Sequence, residues 1–441
     1  MSKKRISLLA LCFLLAAQFA AAQHPLLQSG PMLGYADMFE ALLWVQTKEE
    51  ATVEFVYWPK DDPAQRFLTE AKNTVKKEGF TAHLVADKVQ PGNTYEYNLY
   101  INGQRVAFDY PTVFQTQPLW QWRTDPPAFK VAVGSCSYIN DPPYDRPGRP
   151  YGADYHVFTS IHQKQPDVML WLGDNTYLRE PDWYTRTGFL HRYTHTRSLP
   201  ELQPLLASTH HYAIWDDHDF GPNDSDGSFV HKDLAAEVFR LFWGNPTYGL
   251  PGLGGTTSYF QWADVDFFLL DNRYFRTPNN RKTGEKTILG KAQLEWLIDA
   301  LAASNAPFKM VAIGGQVLTT HAGHETYTNI CPVERAYLLD RIAEEGIKNV
   351  VFLTGDRHHT ELSKMTMPNG IVIHDLTVSP LSSGVHTTDE KNLLRDEGTL
   401  VTQRNFGLLE FAGPRTQRSL TIRIYDSNGL ELWTRAIKSE K

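Results

Sequence analysis

The sequence contains little cysteine, no excess of positive charge and, after its first residues, no long apolar run. Three cysteines among 441 residues are too few for a scaffold held by disulfides. A net charge of −7 argues against a general nucleic-acid binder, since such proteins need basic residues to contact phosphates. With 42% hydrophobic and 21% charged residues, the composition is instead typical of a folded globular protein.

The N-terminus has the order of a secretory signal peptide. Lys3, Lys4 and Arg5 precede an apolar stretch at 6–17, which is shorter than the roughly 20 residues that a spanning anchor needs. Small residues at 20–22 then predict that residues 1–22 are removed, with an uncleaved anchor as the alternative. Cleavage changes the net charge from −7 to −10. We therefore expect an exported protein, periplasmic or extracellular, without a transmembrane segment after processing.

Residues 28–122 are predicted to form an all-β sandwich domain. Apolar and polar residues alternate at 51–57 and 94–100, as they do in half-buried strands. Pro91 and Gly92 shortly before Tyr95 resemble the tyrosine corner of fibronectin-III-like sandwiches, the alternative being an ordinary turn before a strand. Consecutive prolines at 126–127 then predict a linker to a second domain.

Residues 128–437 have the pattern of a layered α/β domain with helices outside the sheets. Short, fully apolar runs predict strands that are buried on both faces, at 131–133, 168–172, 212–215, 267–270, 310–313 and 350–353. Amphipathic stretches between them predict helices at 153–165, 234–242, 291–303 and 333–345. Two late strands are predicted at 371–378 and 406–411.

Side chains suited to metals follow five of these apolar runs. The segments are Gly134-Ser-Cys-Ser-Tyr138, Gly173-Asp-Asn-Thr-Tyr177, Asp216-Asp-His-Asp219, Gly314-Gly-Gln316 and Gly355-Asp-Arg-His-His359. Each segment alone is a weak signal, because Gly-Asp is commonly a turn and a buried cysteine is commonly a core residue. In α/β sheets, however, ligands collect beyond the carboxyl ends of the strands. Acidic groups gathered there need cations to neutralise them.

The order of these motifs resembles the PhoD-like alkaline phosphatases of the calcineurin-like metallophosphoesterase superfamily. The resemblance covers roughly residues 35–430. It implies an α/β fold, a layered metallophosphoesterase β-sandwich flanked by helices, preceded by the N-terminal fibronectin-III-like sandwich. It also implies a site with ferric iron and calcium, with zinc or manganese as other options. The twin-arginine export motif of the family is missing here, which favours the general secretory path.

The resemblance implies four ligands for the iron: Cys136, Asp174, Tyr177 and His358. Asp174 matches the carboxylate that bridges the two metals. Cys136 stands where the wider superfamily has an aspartate or histidine, and PhoD-like members use the thiolate there. A thiolate ligand must be deprotonated, which a bound metal achieves.

At the second metal, Asp217 and Asp356 stand where the superfamily has Asn and His. This change from nitrogen to oxygen ligands favours calcium. Asn223, Gln316 and His359 are further candidates for metal or substrate contact, and Gln316 is the least certain match because the family's strand end there carries a histidine.

Two residues are candidates for catalysis. His218, beside a metal ligand, is suited to bond a substrate oxygen or protonate the leaving group. Arg357 is suited to bind phosphate oxygens, the alternative being a salt bridge to a ligand carboxylate.

We therefore expect an exported phosphoesterase that hydrolyses small phosphomonoesters, and phosphodiesters as a second class, through a metal-activated hydroxide. The alternative is a secreted phosphate- or metal-binding protein that has lost catalysis. The sequence leaves the oligomeric state open. It contains no His-Glu-x-x-His motif, which disfavours a zinc hydrolase of another fold.

Overall fold

The structure is a computed structural model that describes residues 24–387 and 389–440. The predicted signal peptide therefore lies outside the described residues. Among the helices of the described part, none has the length and apolar character needed to cross a membrane.

The described residues form mainly strands, with helices concentrated between 156 and 344. The strands are β1 Leu27–Ala36, β2 Ala41–Thr47, β3 Thr52–Pro59, β4 Phe67–Leu68, β5 Lys72–Asn73, β6 Thr81–Ala86, β7 Thr94–Ile101, β8 Gln104–Arg105, β9 Val113–Gln115, β10 Phe129–Gly134, β11 Val168–Leu172, β12 His210–Ile214, β13 Ser258–Trp262, β14 Val265–Leu269, β15 Lys309–Ala312, β16 Val350–Thr354, β17 Glu361–Thr366, β18 Val372–Thr377, β19 Asn405–Ala412, β20 Ser419–Asp426 and β21 Glu431–Lys438. The α-helices are α1 His156–Gln163, α2 Arg186–Arg197, α3 Gln203–Leu206, α4 Asp217–Phe220, α5 Lys232–Phe242, α6 Lys291–Ala303, α7 Tyr327–Ile330 and α8 Pro332–Glu344, with 3₁₀ turns at Lys76–Glu78 and Pro200–Leu202.

Two sheets stack to form the larger part of the molecule. One has nine strands in the order β21-β20-β19-β10-β11-β12-β1-β2-β6, and the other has six in the order β13-β14-β15-β16-β18-β17. Val131 and Leu170 of the first sheet belong to the same buried cluster as Phe267 and Met310 of the second. The strands β10, β11 and β12 are parallel to one another, as are β14, β15, β16 and β18.

Helices cover the outer faces of both sheets. Phe158 of α1 and Phe239 of α5 pack with Met169 on the nine-stranded sheet. Leu297 of α6 and Leu338 of α8 pack in a separate cluster with strands of the six-stranded sheet. The predicted layered α/β fold is thereby confirmed, because each sheet is buried on both faces.

Local backbone conformation decides where the predicted elements end. The strand at 168–172 and the helix at 291–303 have the predicted bounds. The helix predicted at 153–165 is shorter, His156–Gln163, because Asp154 and Gln165 adopt left-handed backbone with φ of 55° and 50°. Such residues cannot continue a right-handed helix.

The N-terminal strands form the predicted sandwich. A sheet of β4-β3-β7-β8, with β5 and β9 at its sides, packs against β1, β2 and β6, so that Phe55 and Leu99 share a core with Leu43. The Gln90 N–H donates to the Tyr95 hydroxyl oxygen at 2.7 Å. That bond to backbone a few residues upstream is the feature of a tyrosine corner.

The sandwich is joined to the rest of the molecule through one continuous sheet. Strand β1 pairs in parallel with β12, where Leu33 lies opposite His210. The boundaries 28–122 and 128–437 therefore stay a prediction, since the nine-stranded sheet contains strands from both sides of them.

Candidate metal centre

The carboxyl ends of the parallel strands open into a cavity of about 830 Å³. Its position agrees with the rule that ligands bind beyond the carboxyl ends of parallel strands. Most of the candidate residues line it, namely Asp174, Asp217, His218, Asn223, Asp356, Arg357, His358 and His359. Cys136 and Tyr177 are buried at its base, in contact with residues that line it.

The four ligands expected for iron converge. One donor atom each from Cys136, Asp174 and His358 lies within 4.8 Å of the others, and all three residues are buried. The Cys136 sulfur is 3.7 Å from Asp174 Oδ2, and the Tyr177 hydroxyl oxygen is 3.3 Å from His358 Nε2. Thiol, carboxylate, phenol and imidazole therefore meet at one point.

A second set of donors adjoins the first and shares Asp174 with it. Donor atoms of Asp174, Asp217 and His218 lie within 4.8 Å of one another, as do those of Asp216, Asp217 and Asp356. The second set is dominated by carboxylate oxygens, whereas the first contains sulfur, nitrogen and a phenol. The two sets thus differ in the kind of metal that they suit.

Strained turns aim these side chains into the cavity. Cys136, Asp174, Asp356 and His358 each have left-handed backbone, with φ of 59°, 52°, 68° and 55°. This conformation is uncommon for residues other than glycine and costs about 1–3 kcal/mol each. Strain of this kind clusters at functional sites, because it holds side chains where an unstrained turn would not.

Asp219 ties two of the strand-end loops together. Its carboxylate accepts the backbone N–H groups of Asp216 at the start of α4, and of Asn175 and Thr176 after β11. Burial raises the pKa of Asp219 to about 8, while these N–H groups oppose the rise. The segment Asp216–Asp219 therefore contains a positioning carboxylate as well as candidate ligands.

Burial and mutual repulsion shift the pKa values of the candidate ligands. Burial, together with the neighbouring Asp217, raises the pKa of Asp174 well above its usual range. Burial and Asp216 raise the pKa of Asp356 to about 7, and burial raises that of the Cys136 thiol to about 12. Bound cations reverse such shifts, because they stabilise the ionised forms.

Asp217 differs from its neighbours. Burial alone would raise its pKa, but His218 and Arg273 more than compensate and hold the pKa below the usual range. Asp217 also accepts the backbone N–H of Asp224 at 2.7 Å. It is therefore the carboxylate of this set that the protein itself keeps ionised.

The donor sets fit bound cations. Among the described residues, Asp216 Oδ2 and His359 Nε2 are buried atoms without a hydrogen-bond partner. Unpaired buried polar atoms are costly unless an ion or water satisfies them. Together with the buried carboxylates, they make a metal-free site electrostatically unfavourable.

The two catalytic candidates have different surroundings. The His218 ring packs against the Tyr177 ring, with centroids 4.3 Å apart and planes tilted by 31°, and the His218 backbone N–H donates to Asp174 Oδ1 at 3.3 Å. Arg357 donates to both Glu390 oxygens, at 2.5 and 2.7 Å, and to Gln316 at 3.3 Å. Arg357 therefore forms a salt bridge with a carboxylate of another loop, Glu390, and not with a candidate ligand carboxylate.

The three remaining candidates have different contacts around the cavity. Asn223 lines the cavity and donates to Asp224 at 2.8 Å. His359 lines it too, with Nε2 at 3.9 Å from Glu361. Gln316 instead donates to Glu361 at 2.7 Å and is not among the lining residues. A role of Gln316 in metal or substrate contact therefore stays a prediction.

Sequence reasoning missed an arginine beside the centre. Arg273 is buried, forms an ion pair with Asp216, bonds Glu325 at 2.6 Å and lies 3.7 Å from Asp217. Asn272 also donates to Asp216, at 2.7 Å. Both follow β14, the one apolar run to which no motif was assigned, so the same strand-end rule would have found them.

Two family models match the chain. Residues 253–414 match the PhoD-like phosphatase model, and residues 24–119 match a domain of unknown function, DUF7800. Among curated proteins, alkaline phosphatase D of Bacillus subtilis (strain 168) is 21% identical over 358 residues. That match covers 69% of this chain and 58% of the relative, so the chain matches less than two thirds of the relative's length.

Two solved structures share the fold over nearly the whole chain. A structure of PhoD superposes with a TM-score of 0.75 at 16% identity, covering 95% of this chain and 93% of the other. A purple acid phosphatase from yellow lupin (Lupinus luteus) seeds has a TM-score of 0.67 at 13% identity, covering 92% and 74%. The chain therefore shares its fold with PhoD and with this purple acid phosphatase. Residues 253–414 match the PhoD-like phosphatase model, in agreement with the resemblance indicated by the strand-end motifs.

Proposed function

We propose that this chain is an exported, metal-dependent phosphoesterase that hydrolyses phosphomonoesters and, as a second class, phosphodiesters. The observation that carries the proposal is the convergence of two adjoining donor sets, which share Asp174, at one cavity. The names of the matching family and of the Bacillus relative support a phosphatase. A phosphate ester needs cationic partners, and buried carboxylates supply them only by holding metal ions.

We assign ferric iron to Cys136, Asp174, Tyr177 and His358, since thiolate and phenolate favour that ion. Calcium is assigned to the oxygen donors of Asp174, Asp217 and Asp356, with zinc or manganese as the other options. When bound, the two ions would supply Lewis acidity and an activated water.

His218 and Arg357 complete the site. Burial lowers the pKa of His218 while the neighbouring Asp217 opposes the shift, and the imidazole offers an N–H to a substrate oxygen in either protonation state. Arg357 is held between Glu390 and Gln316 beside the cavity. A substrate phosphate would compete with Glu390 for the guanidinium, which binds phosphate oxygens well.

The first test combines metal analysis with assays on p-nitrophenyl phosphate and bis-p-nitrophenyl phosphate, with and without added calcium. Asp174→Asn removes the shared carboxylate, and we expect it to lower the rate by at least about 100-fold and to reduce the metal content. Asp299→Asn, at an exposed position of α6, is the control and should change neither quantity.

Two outcomes contradict the proposal in different ways. A wild-type protein that holds metal tightly but hydrolyses neither ester would establish the binding-protein alternative. Full activity in Asp174→Asn would show that the assigned site is wrong.

The iron assignment has its own optical test. Tyrosinate bound to ferric iron absorbs visible light, so the purified protein should be coloured and Tyr177→Phe should lose the tyrosinate band. A colourless, active wild-type protein would rule out iron and favour zinc or manganese.

Export is tested by expressing the full chain in a bacterial host and sequencing the N-terminus of the protein found outside the cytoplasm. We expect it to begin at Gln23. Retention of residues 1–22 on a membrane-bound protein would favour the uncleaved anchor.

A further inference from the structure

Outside the two donor sets, a cluster of two histidines and a glutamate lies at the wall of the same cavity. Donor atoms of His321, His324 and Glu390 are all within 4.8 Å of one another. His324 and Glu390 line the cavity. The His321 and Glu390 side chains are partly buried, and the His324 side chain is exposed. We propose that His321, His324 and Glu390 form a further metal site, for a zinc-class divalent ion, separate from the candidate centre.

The spacing of the donor atoms suits zinc. His321 Nε2 is 3.6 Å and His324 Nε2 is 3.2 Å from the same oxygen, Glu390 Oε1. Tetrahedral zinc with ligands at about 2.0–2.2 Å keeps neighbouring ligand atoms about 3.3–3.5 Å apart. The two distances lie on either side of this range, and the group's donor atoms all lie within 4.8 Å of one another.

The chemistry of the set also suits zinc rather than calcium. Two imidazoles and one carboxylate form the three-ligand set of many zinc sites that keep a position open. Calcium prefers six to eight oxygen ligands, and imidazole nitrogens are poor partners for it. The open position would face the cavity that His324 and Glu390 line.

Hydrogen bonds hold the two loops in register. The Thr320 N–H donates to Asn392 at 3.2 Å, and the Leu393 N–H donates to the Thr320 hydroxyl at 2.8 Å. Asn329 donates to the His324 carbonyl at 2.7 Å. His324 itself has left-handed backbone, with φ of 52°. The segments carrying the histidines and the glutamate are thus fixed relative to each other before any ion binds, which lowers the entropic cost of binding.

Glu390 connects this site to Arg357. The same carboxylate accepts hydrogen bonds from the guanidinium of Arg357. Arg357 is the residue after the candidate ligand Asp356 in the sequence. A carboxylate has enough lone pairs to serve an ion and an arginine together. Zinc at the cluster would draw electron density from Glu390 and weaken its hold on Arg357.

Zinc uptake by the full-length chain tests the inference. Protein as purified is equilibrated with buffered free zinc, and bound zinc per chain is counted by elemental mass spectrometry. We expect the wild-type chain to bind one zinc more than His321→Ala/His324→Ala. The single variant His324→Ala should weaken that zinc by at least about 100-fold, since even outer partners of metal ligands are worth about 10–100-fold.

Two controls separate this site from the rest of the molecule. His156→Ala removes an exposed histidine at the start of α1 and should retain the extra zinc. Asp174→Asn perturbs the candidate centre and should retain it as well. Circular dichroism of each variant verifies folding, and anomalous scattering at the zinc edge locates the ion in crystals.

Equal zinc uptake by the wild-type chain and the double variant would overturn the inference. The cluster would then be only an ion pair between the histidines and Glu390. The readout is bound zinc rather than turnover, so the result is independent of the proposed function. If the protein has no phosphoesterase activity but still shows the zinc difference, the inferred zinc site holds and the proposed function fails.

Discussion

Arg273 offsets part of the negative charge around the candidate centre without any metal. Its side chain is 1% exposed and faces Asp216, Asp217 and Glu325. Arg276 bonds the other oxygen of Glu325 at 2.6 Å. These two arginines therefore offset part of the negative charge of Asp216, Asp217 and Glu325, and the assigned cations would neutralise the rest.

Removing Arg273 is expected to destabilise the fold. Arg273→Met leaves the negative charges of Asp216 and Glu325 buried without this positive partner. Breaking a buried ion pair in this way costs about 3–5 kcal/mol. Urea unfolding, followed by tryptophan fluorescence, measures the loss. Arg341→Met is the matched control, because its pairs with Glu344 and Glu345 are exposed and should be worth less than about 1 kcal/mol. Equal losses in both variants would contradict the prediction.

At the scale of elements, strand β12 carries two buried histidines that must stay neutral. The Trp171 Nε1–H donates to His211 Nδ1 at 2.9 Å, and His211 Nε2–H donates to the Leu205 carbonyl at 3.2 Å. Burial lowers the pKa of His211 to about 3 and that of His210 to about 4. Protonation of His211 would break its bond from Trp171.

These histidines predict acid sensitivity. Below an unfolded pKa of about 6.5 the unfolded chain binds more protons than the folded one, so their contribution is complete above that pH and falls as the pH drops toward about 3. Urea unfolding between about pH 7 and about pH 4 should therefore give a decreasing free energy of unfolding. His211→Gln should flatten this dependence, whereas His156→Gln should not. An unchanged slope in His211→Gln would disprove its role.

At the scale of the whole molecule, the N-terminal sandwich is part of the core rather than an appendage. Leu33 of β1 and Leu43 of β2 belong to the same buried cluster as Val131 and Phe267. Without β1, the edge of β12 and the apolar side chains around it would be open to water.

We therefore expect residues 128–437 alone to be insoluble or partly unfolded. Expression of that segment, compared with residues 23–441 by solubility and circular dichroism, measures the effect. Co-expression with residues 23–127 should restore soluble protein, because the missing strands are supplied in trans. A stable, cooperatively unfolding 128–437 segment would show that the shared sheet contributes little.

Much of the centre was predictable because its residues directly follow apolar strands. The segment after β11 contains Asp174 and Tyr177, and the strand pattern alone places such residues at one edge of a sheet. The pairing of β1 with β12 was not predictable, since it joins residues 177 positions apart through a sheet whose strand order the hydrophobic pattern does not specify. The direction of the Gln316 side chain was not predictable for the same reason, because it is set by bonds to Glu361 and Arg357, which are distant in the chain.

The sequence by itself indicated the strands, the candidate ligands at their ends and the resemblance to PhoD-like phosphatases, because these depend on residues close together in the chain. Only the tertiary structure decided that Arg357 binds Glu390, that Arg273 lies beside Asp216, and that His321 and His324 meet Glu390. The physical reason is how far apart in the chain the interacting residues lie. A side chain's position at a strand end follows from local backbone geometry, whereas an ion pair between loops depends on how whole layers pack.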